Sequence, residues 1–204
     1  MIDGVPRELA RYYENLLEKI NHQKKIAIEA RKRIASPIPQ IEVLFAKDLA
    51  ERVELLVGPK GVADKIRRLF GKITLEKLAL KLAEEIIEEH GRGKVYGEIL
   101  LQAIRTSLAI LTPPCITAAP TEGVVDVKIK KNMDGSRYLA VYFAGPIRSA
   151  GGTELAAVVV LADYVRRIVG LDRYKPTYEE IMRFIEELRL YKSCLLYTSD
   201  AADE

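Results

Sequence analysis

One short stretch breaks the helical rhythm of this chain and limits what it can fold into. In VVDVKIK, Val124–Lys130, apolar and polar residues alternate, with Val125, Val127 and Ile129 on one face and Asp126, Lys128 and Lys130 on the other. NMDGS supplies a turn, and YLAVYF returns with Leu139, Val141 and Phe143 on the apolar side. The pattern predicts a β-hairpin over about 124–143. Two strands alone are marginal in water, so the hairpin must lie on helices or find further strands. The other periodic segments are helical. The expected class is therefore α+β and mainly helical: a helical N-terminal part, one hairpin, then two C-terminal helices.

The helices carry their own punctuation. Pro6 suits a first turn, and Leu9, Tyr13, Leu16, Leu17 and Ile20 follow at helical spacing. SPIP, Ser36–Pro39, ends that segment because proline removes a donor and restricts its predecessor. A second helix is expected near 41–57, and GPKG, Gly58–Gly61, separates it from VADKIRRLF. Thr74 caps LEKLALKLAEEIIEEH, and Pro113-Pro114 stop YGEILLQAIRTSLAIL. Beyond the hairpin, TELAAVVVLADYVRRIVG reads as a largely buried helix. Thr177 and Glu180 form a capping box for the last one. The organisation expected is a helical region over 1–113 with a G-x-x-G turn at 58–61, then hairpin plus helices over 114–192.

Hydrophobic residues make up 49% of the 204 and charged residues 30%, a composition that can build a core. No apolar run approaches the roughly 20 residues of a membrane span. The N-terminus lacks a signal-peptide core, so the expected location is the cytoplasm. Cys115 and Cys194 form no C-x-x-C pair, and His22 and His90 lie far apart, which excludes a recognisable zinc site.

The strand-to-helix junction AGPIRSAGGTELA, Ala144–Ala156, has the densest chemistry. Gly145, Gly151 and Gly152 open backbone angles closed to other residues. The following helix start presents free N–H groups beside Arg148, Ser149 and Thr153, a combination that suits a phosphate. It is neither a Walker loop nor a dinucleotide fingerprint. The alternative is a tight turn for helix–strand packing, with Arg148 paired to an internal carboxylate. LLVGPKGVADKI resembles the helix–G-x-x-G–helix element of KH domains, with Lys60 in the loop, which would make an RNA-binding protein. A plain helix-to-helix turn is the other reading. On the hairpin's outer face Lys128 and Lys130 interleave with Tyr138 and Tyr142, a pattern suited to single-stranded nucleic acid or simply to solvent. HQKKIAIEARKR is a basic helix face.

Nucleotide polymerisation needs carboxylates that hold two metal ions. Here Asp126, Asp163 and Asp172 are isolated in sequence, and no D-x-D pair occurs. No nucleophile–His–Asp set can be assembled from two scattered histidines. No catalytic residue and no metal ligand is assigned.

The last residues, CLLYTSDAADE, Cys194–Glu204, break every preceding pattern and resemble a transposase adapter of sequencing libraries translated in frame. The natural part is then expected to end near Lys192 or Ser193, with 193–204 a non-native tail. Three acids and no bases would leave with it, raising the formal charge from +3 to +6.

LAVYFAGPIRSAGGTELAAVVVLADYVRRIVGLDRYKPTYEEIMRFIEEL is closely similar to the large subunit of archaeal family D DNA polymerases, as are EVLFAKDLAERVELLVGPKGVADKIRRL and AIRTSLAILT upstream. The resemblance covers essentially residues 1–192. It implies a replicative DNA-directed DNA polymerase of well over a thousand residues, working with a small exonuclease subunit on DNA and using magnesium. Its metal-binding aspartates would lie in double-psi β-barrel domains beyond this chain. The implied role here is a non-catalytic N-terminal piece that helps assemble the enzyme and guides DNA. The alternative is a pure subunit-docking module. The junction residues Arg148, Ser149, Gly151, Gly152 and Thr153, with Lys128, Lys130, Tyr138, Tyr142 and Lys60, are the candidate DNA and phosphate contacts.

Overall fold

The computed structural model describes residues 6–34, 46–89, 97–114, 116–145, 147 and 152–200, with side chains described to residue 190. The expected stop at 36–39, and residues 146 and 148–151 of the junction, lie outside the described residues.

Packing divides the chain into Met1–Asp48 and Leu49–Glu204. The first unit holds α1, Arg7–Arg33, which follows Pro6 and ends on Arg31, Lys32 and Arg33, cations that suit the negative end of a helix. None of its residues is buried, and Leu9, Tyr12, Tyr13, Leu16 and Leu17 stand exposed.

The second unit contains α2, Leu49–Leu56; α3, Val62–Leu69; α4, Leu75–Glu89; α5, Gly97–Leu111; β1, Val124–Lys131; β2, Arg137–Phe143; α6, Gly152–Ile168; and α7, Tyr178–Asp200. A π-helical turn, Ala119–Gly123, leads into β1. The helix α7 thus runs past Ser193, into the segment read as a tail. Helices from both sides of the 113/114 boundary share one core, because α5 packs against β1 and α6 as well as α4.

The helices α4 and α5 form the centre. Leu78, Leu82 and Ile86 recur at helical spacing on α4 and are wholly buried, whereas Leu75, at the head of the same stripe, stays exposed. Small residues, Ala79, Ala83 and Ala103, leave room for close approach, and the buried Ser107 hydroxyl donates to the Ala79 carbonyl at 2.7 Å. One apolar cluster joins α4 and α5 to α2 and α3 through Val53, Val62 and Ile66. Another joins them to the hairpin and α6 through Ile104, Val124, Val127, Val158 and Val165. Arg52 donates to the Ala109 and Thr112 carbonyls at 2.8 and 2.9 Å, satisfying acceptors that α5 leaves open at its end.

The hairpin is antiparallel and pairs Val127 with Val141, Ile129 with Leu139 and Lys130 with Tyr138. A bulge between Val124 and Asp126 changes the expected alternation. Val124, not Val125, enters the core, and Val125 is left 50% exposed. Arg105 of α5 places Nε and Nη2 at 2.9 and 2.7 Å from the Val124 carbonyl, anchoring the strand at the bulge.

The expectation for α6 also needs correction. Its buried stripe is Glu154, Val158, Leu161, Ala162 and Val165, while Val159 and Val160 are 58% and 64% exposed. A helix resting on one side of a core buries one stripe, so consecutive valines cannot all point inward.

Candidate nucleic-acid interface

The hairpin brings Lys128, Lys130, Tyr138 and Tyr142 to one face, as alternation predicts. The ammonium groups of Lys128 and Lys130 each lie 5.3 Å from the centre of the Tyr142 ring, within the range of a cation–π attraction. The Tyr142 hydroxyl beside Lys130 raises the lysine pKa above its ordinary value. Lys128 pairs with Asp126 at 3.1 Å, and this lysine holds the Asp126 carboxyl below the usual carboxylate range. Tyr142 is therefore an exposed ring flanked by two cations. Those cations are partly engaged within the hairpin.

Tyr138 sits against Tyr174, with ring centres 4.9 Å apart and planes tilted by 55°. Tyr174 comes from the segment after α6, and no alternation marked it. Its hydroxyl donates to Glu180 at 2.6 Å, and this bond pushes its pKa up to about 12, so the ring is a neutral phenol. Glu180 in turn accepts from Thr177 N at 2.7 Å while its own N–H donates to Thr177 Oγ1 at 3.3 Å, the reciprocal cap that the sequence pattern predicts.

The segment carrying Tyr174 is strapped along the free edge of β2. Asp172 N donates to the Arg137 carbonyl at 2.8 Å. The Asn132 amide, 7% exposed, donates to the Arg173 carbonyl and to Ser136 Oγ, each at 2.9 Å, and accepts from Lys175 N at 3.0 Å. Lys175 Nζ then bridges Asp134 at 2.6 Å and Asp172 at 2.5 Å. Both carboxyls are held below the ordinary range, first by this lysine. Asp172, isolated in sequence, shares its cation with Asp134. Asn132 looked like a turn residue only, because its partners lie 41 and 43 positions away.

The G-x-x-G turn has a different outcome. Gly58 and Gly61 take positive φ angles of 67° and 87°. The amides of Gly61 and Ala63 donate to the Glu54 carboxylate at 3.0 and 2.8 Å. Gln102 and Thr106 donate to the Val57 and Gly58 carbonyls at 2.6 and 2.8 Å. The donors a KH-type loop would offer to nucleic acid are thus taken internally. The flanking elements are helices, and the two strands pair with each other elsewhere, so the KH-like reading is set aside among the described residues. Lys60 is exposed at the turn.

At the other proposed phosphate site, Arg148, Ser149 and Gly151 lie outside the described residues. Gly152 and Thr153 are exposed at the start of α6. Glu154 in the same first turn is buried, so a carboxylate already sits close to the positive end of the helix.

Among the described residues no three His, Cys, Asp or Glu side chains gather to hold a metal ion. The carboxylates of Asp126, Asp134, Asp163 and Asp172 are each paired with a lysine or arginine. No helix among these residues is long and apolar enough to cross a membrane.

Residues 11–203 match a family described as DNA polymerase II large subunit DP2, N-terminal. The chain is 49% identical over 189 residues to a DNA polymerase II large subunit of Methanococcus maripaludis, covering 91% of this chain and 16% of that protein. It is 48% identical over 193 residues to the one of Pyrococcus furiosus, covering 92% and 15%. Against that of Thermococcus kodakarensis it is 50% identical over 190 residues, covering 90% and 10%. The chain spans about a sixth or less of the curated relatives it matches. With this likeness running through α1, the paired core helices, the hairpin and α6, the chain belongs to the N-terminal family of DNA polymerase II large subunits.

Proposed function

We propose that this chain is an N-terminal, non-catalytic region of a DNA-directed DNA polymerase large subunit, serving as a scaffold that docks other parts of the enzyme and guides DNA along the hairpin. The family match over residues 11–203 carries this reading. The parent's nucleotidyl transfer, its magnesium, its small exonuclease subunit and the associated 3′–5′ exonuclease activity belong to the same proposal. Two-metal chemistry would be supplied by carboxylates beyond this chain, since no three metal-ligating side chains gather among the described residues.

The DNA contact rests on Tyr142 and its two lysines. An exposed ring beside ammonium groups offers a base a surface to stack on and a phosphate a counter-charge. The test is binding of a single-stranded oligonucleotide by the 204-residue chain, compared with Lys128→Ala/Lys130→Ala. Weaker binding and a shallower salt dependence in the double variant are expected. Equal affinity would remove the hairpin face from the proposal. The chain mixed with primer, template, nucleotides and magnesium should not extend the primer, and extension would overturn the non-catalytic assignment.

A docking role without DNA contact is favoured by a separate observation. Ile181, Phe184 and Leu188 of α7 are 44%, 65% and 66% exposed, and in the other unit Leu9, Leu16 and Leu17 of α1 are also uncovered. Such apolar faces mark surfaces that partners cover. Absence of oligonucleotide binding at low salt would favour this reading.

A further inference from the structure

A second cationic surface lies on the opposite face of the hairpin from Tyr142. Leu139, Ala162, Asp163, Arg166, Arg173 and Tyr174 line a cleft of about 180 Å³ between β2, α6 and the strap. Its floor is fixed. Arg166 places Nε and Nη2 on the Asp163 carboxylate at 2.9 and 2.7 Å, and Nη1 on the Leu171 carbonyl at 2.7 Å. Asp163 also meets Arg167 at 2.6 Å, so the one acid in the cleft faces two arginines. The Arg173 guanidinium, by contrast, has no hydrogen bond or ion pair among the described residues.

The rim next to it is unusual for a strand pair. Lys131 and Arg137 stand directly opposite one another in the ladder, and both are exposed. Like charges in that position weaken a hairpin. The nearby carboxylates do not relieve them, because Asp134 and Asp172 both turn to Lys175. Asp172 N bonds the Arg137 carbonyl, which brings the Arg173 backbone alongside β2. Lys131 and Arg137 share the hairpin face of Leu139, which lines the cleft together with Arg173 and Tyr174, and none of the three cations pairs with a carboxylate among the described residues.

We infer that this cleft is a phosphate subsite for a nucleic-acid strand, with Arg137 and Arg173 as the principal phosphate ligands, Lys131 as a flanking charge and Tyr174 as the wall. The inference deepens the polymerase reading and rests on it. An arginine fork matches a phosphate oxygen pair, and the charge repulsion at Lys131–Arg137 is relieved when an anion enters. A strand following these cations would pass round the turn end of the hairpin from the Lys128–Lys130 face.

The experiment is a salt titration of a fluorescently labelled single-stranded oligonucleotide bound to the 204-residue chain. Arg137→Ala/Arg173→Ala should bind several-fold more weakly at low salt. The slope of log K against log salt should fall by about 1.4, roughly 0.7 for each lost phosphate contact. Arg137→Lys/Arg173→Lys should recover most of the slope, and melting curves should show all variants folded. Lys77→Ala/Lys81→Ala, on exposed positions of α4, should change neither quantity.

An unchanged slope in Arg137→Ala/Arg173→Ala, with loss in Lys128→Ala/Lys130→Ala, overturns the cleft and leaves the hairpin-face proposal standing. Equal binding of a polyglutamate peptide, with the same dependence on Arg173, overturns the cleft in favour of an acidic protein partner. Displacement of the oligonucleotide by about 1 mM inorganic phosphate marks a free-anion site and overturns it too. No oligonucleotide binding by the unaltered chain overturns the cleft while leaving the subunit-docking role intact.

Discussion

Asn132 shows how much one side chain can hold. Its amide fills both hydrogen-bonding directions and ties the hairpin turn to a segment 41–43 positions away. Replacing it with alanine leaves the Arg173 carbonyl and the Lys175 amide unmatched, at a cost of about 1–3 kcal/mol. Asn132→Ala should therefore lower the melting temperature and expose the amides of 172–175 to faster hydrogen exchange. The surrounding charges set a pH limit. Asp134 and Asp172 have folded pKa values below their unfolded ones, because Lys175 stabilises both carboxylates. Their contribution is present above the unfolded value of about 4 and is lost as pH falls through the folded values. Melting temperature should stay level from pH 7 to about 5 and decline below about 4, with a weaker decline in Asp134→Asn. Lys175 has its pKa raised by the same pair, so its contribution is complete below the unfolded value of about 10.4 and is lost as pH rises through the folded value.

At the scale of elements, the junction between α5 and β1 depends on a missing side chain. A Cβ at Gly97 would sit 2.3 Å from the Val127 carbonyl oxygen, so the helix start touches strand backbone. Gly97→Ala must push helix and strand apart, and a loss of about 1–3 kcal/mol is expected in chemical denaturation. Sequence pattern marked the hairpin, the Thr177–Glu180 box and the Thr74 cap, where Lys77 N lies 3.4 Å from Thr74 Oγ1. These are readable because the interacting groups lie within a few residues of each other. The bulge at Val125 and the anchoring of Val124 by Arg105 were not, because an unpaired ladder residue leaves no periodic trace when its neighbours are also valines.

Across the whole molecule, the second unit concentrates its stability in α4 and α5, which belong to both apolar clusters. Ile104→Ala, at a site with no exposure, should cost about 2–5 kcal/mol. Phe184→Glu in α7 should change unfolding free energy by less than about 0.5 kcal/mol, because that ring is 65% exposed. Equal effects of the two would show that α7 is packed in solution. The candidate DNA face divided the same way: Lys128, Lys130, Tyr138 and Tyr142 were legible from alternation, whereas Tyr174 and Arg173 reach the hairpin only through the strap.

Local order alone determined the mainly helical α+β class, the single hairpin, its two faces and the caps, since each depends on spacings of two to four residues. The family followed from long matched stretches of sequence. Tertiary structure alone decided that Glu54 occupies the G-x-x-G amides, that Asn132 and Lys175 fasten a strap, and that Arg173 and Tyr174 border one cleft with Leu139. Those outcomes depend on which distant polar groups meet once the core closes, and a hydrogen bond or ion pair formed across dozens of residues imposes no period on the chain.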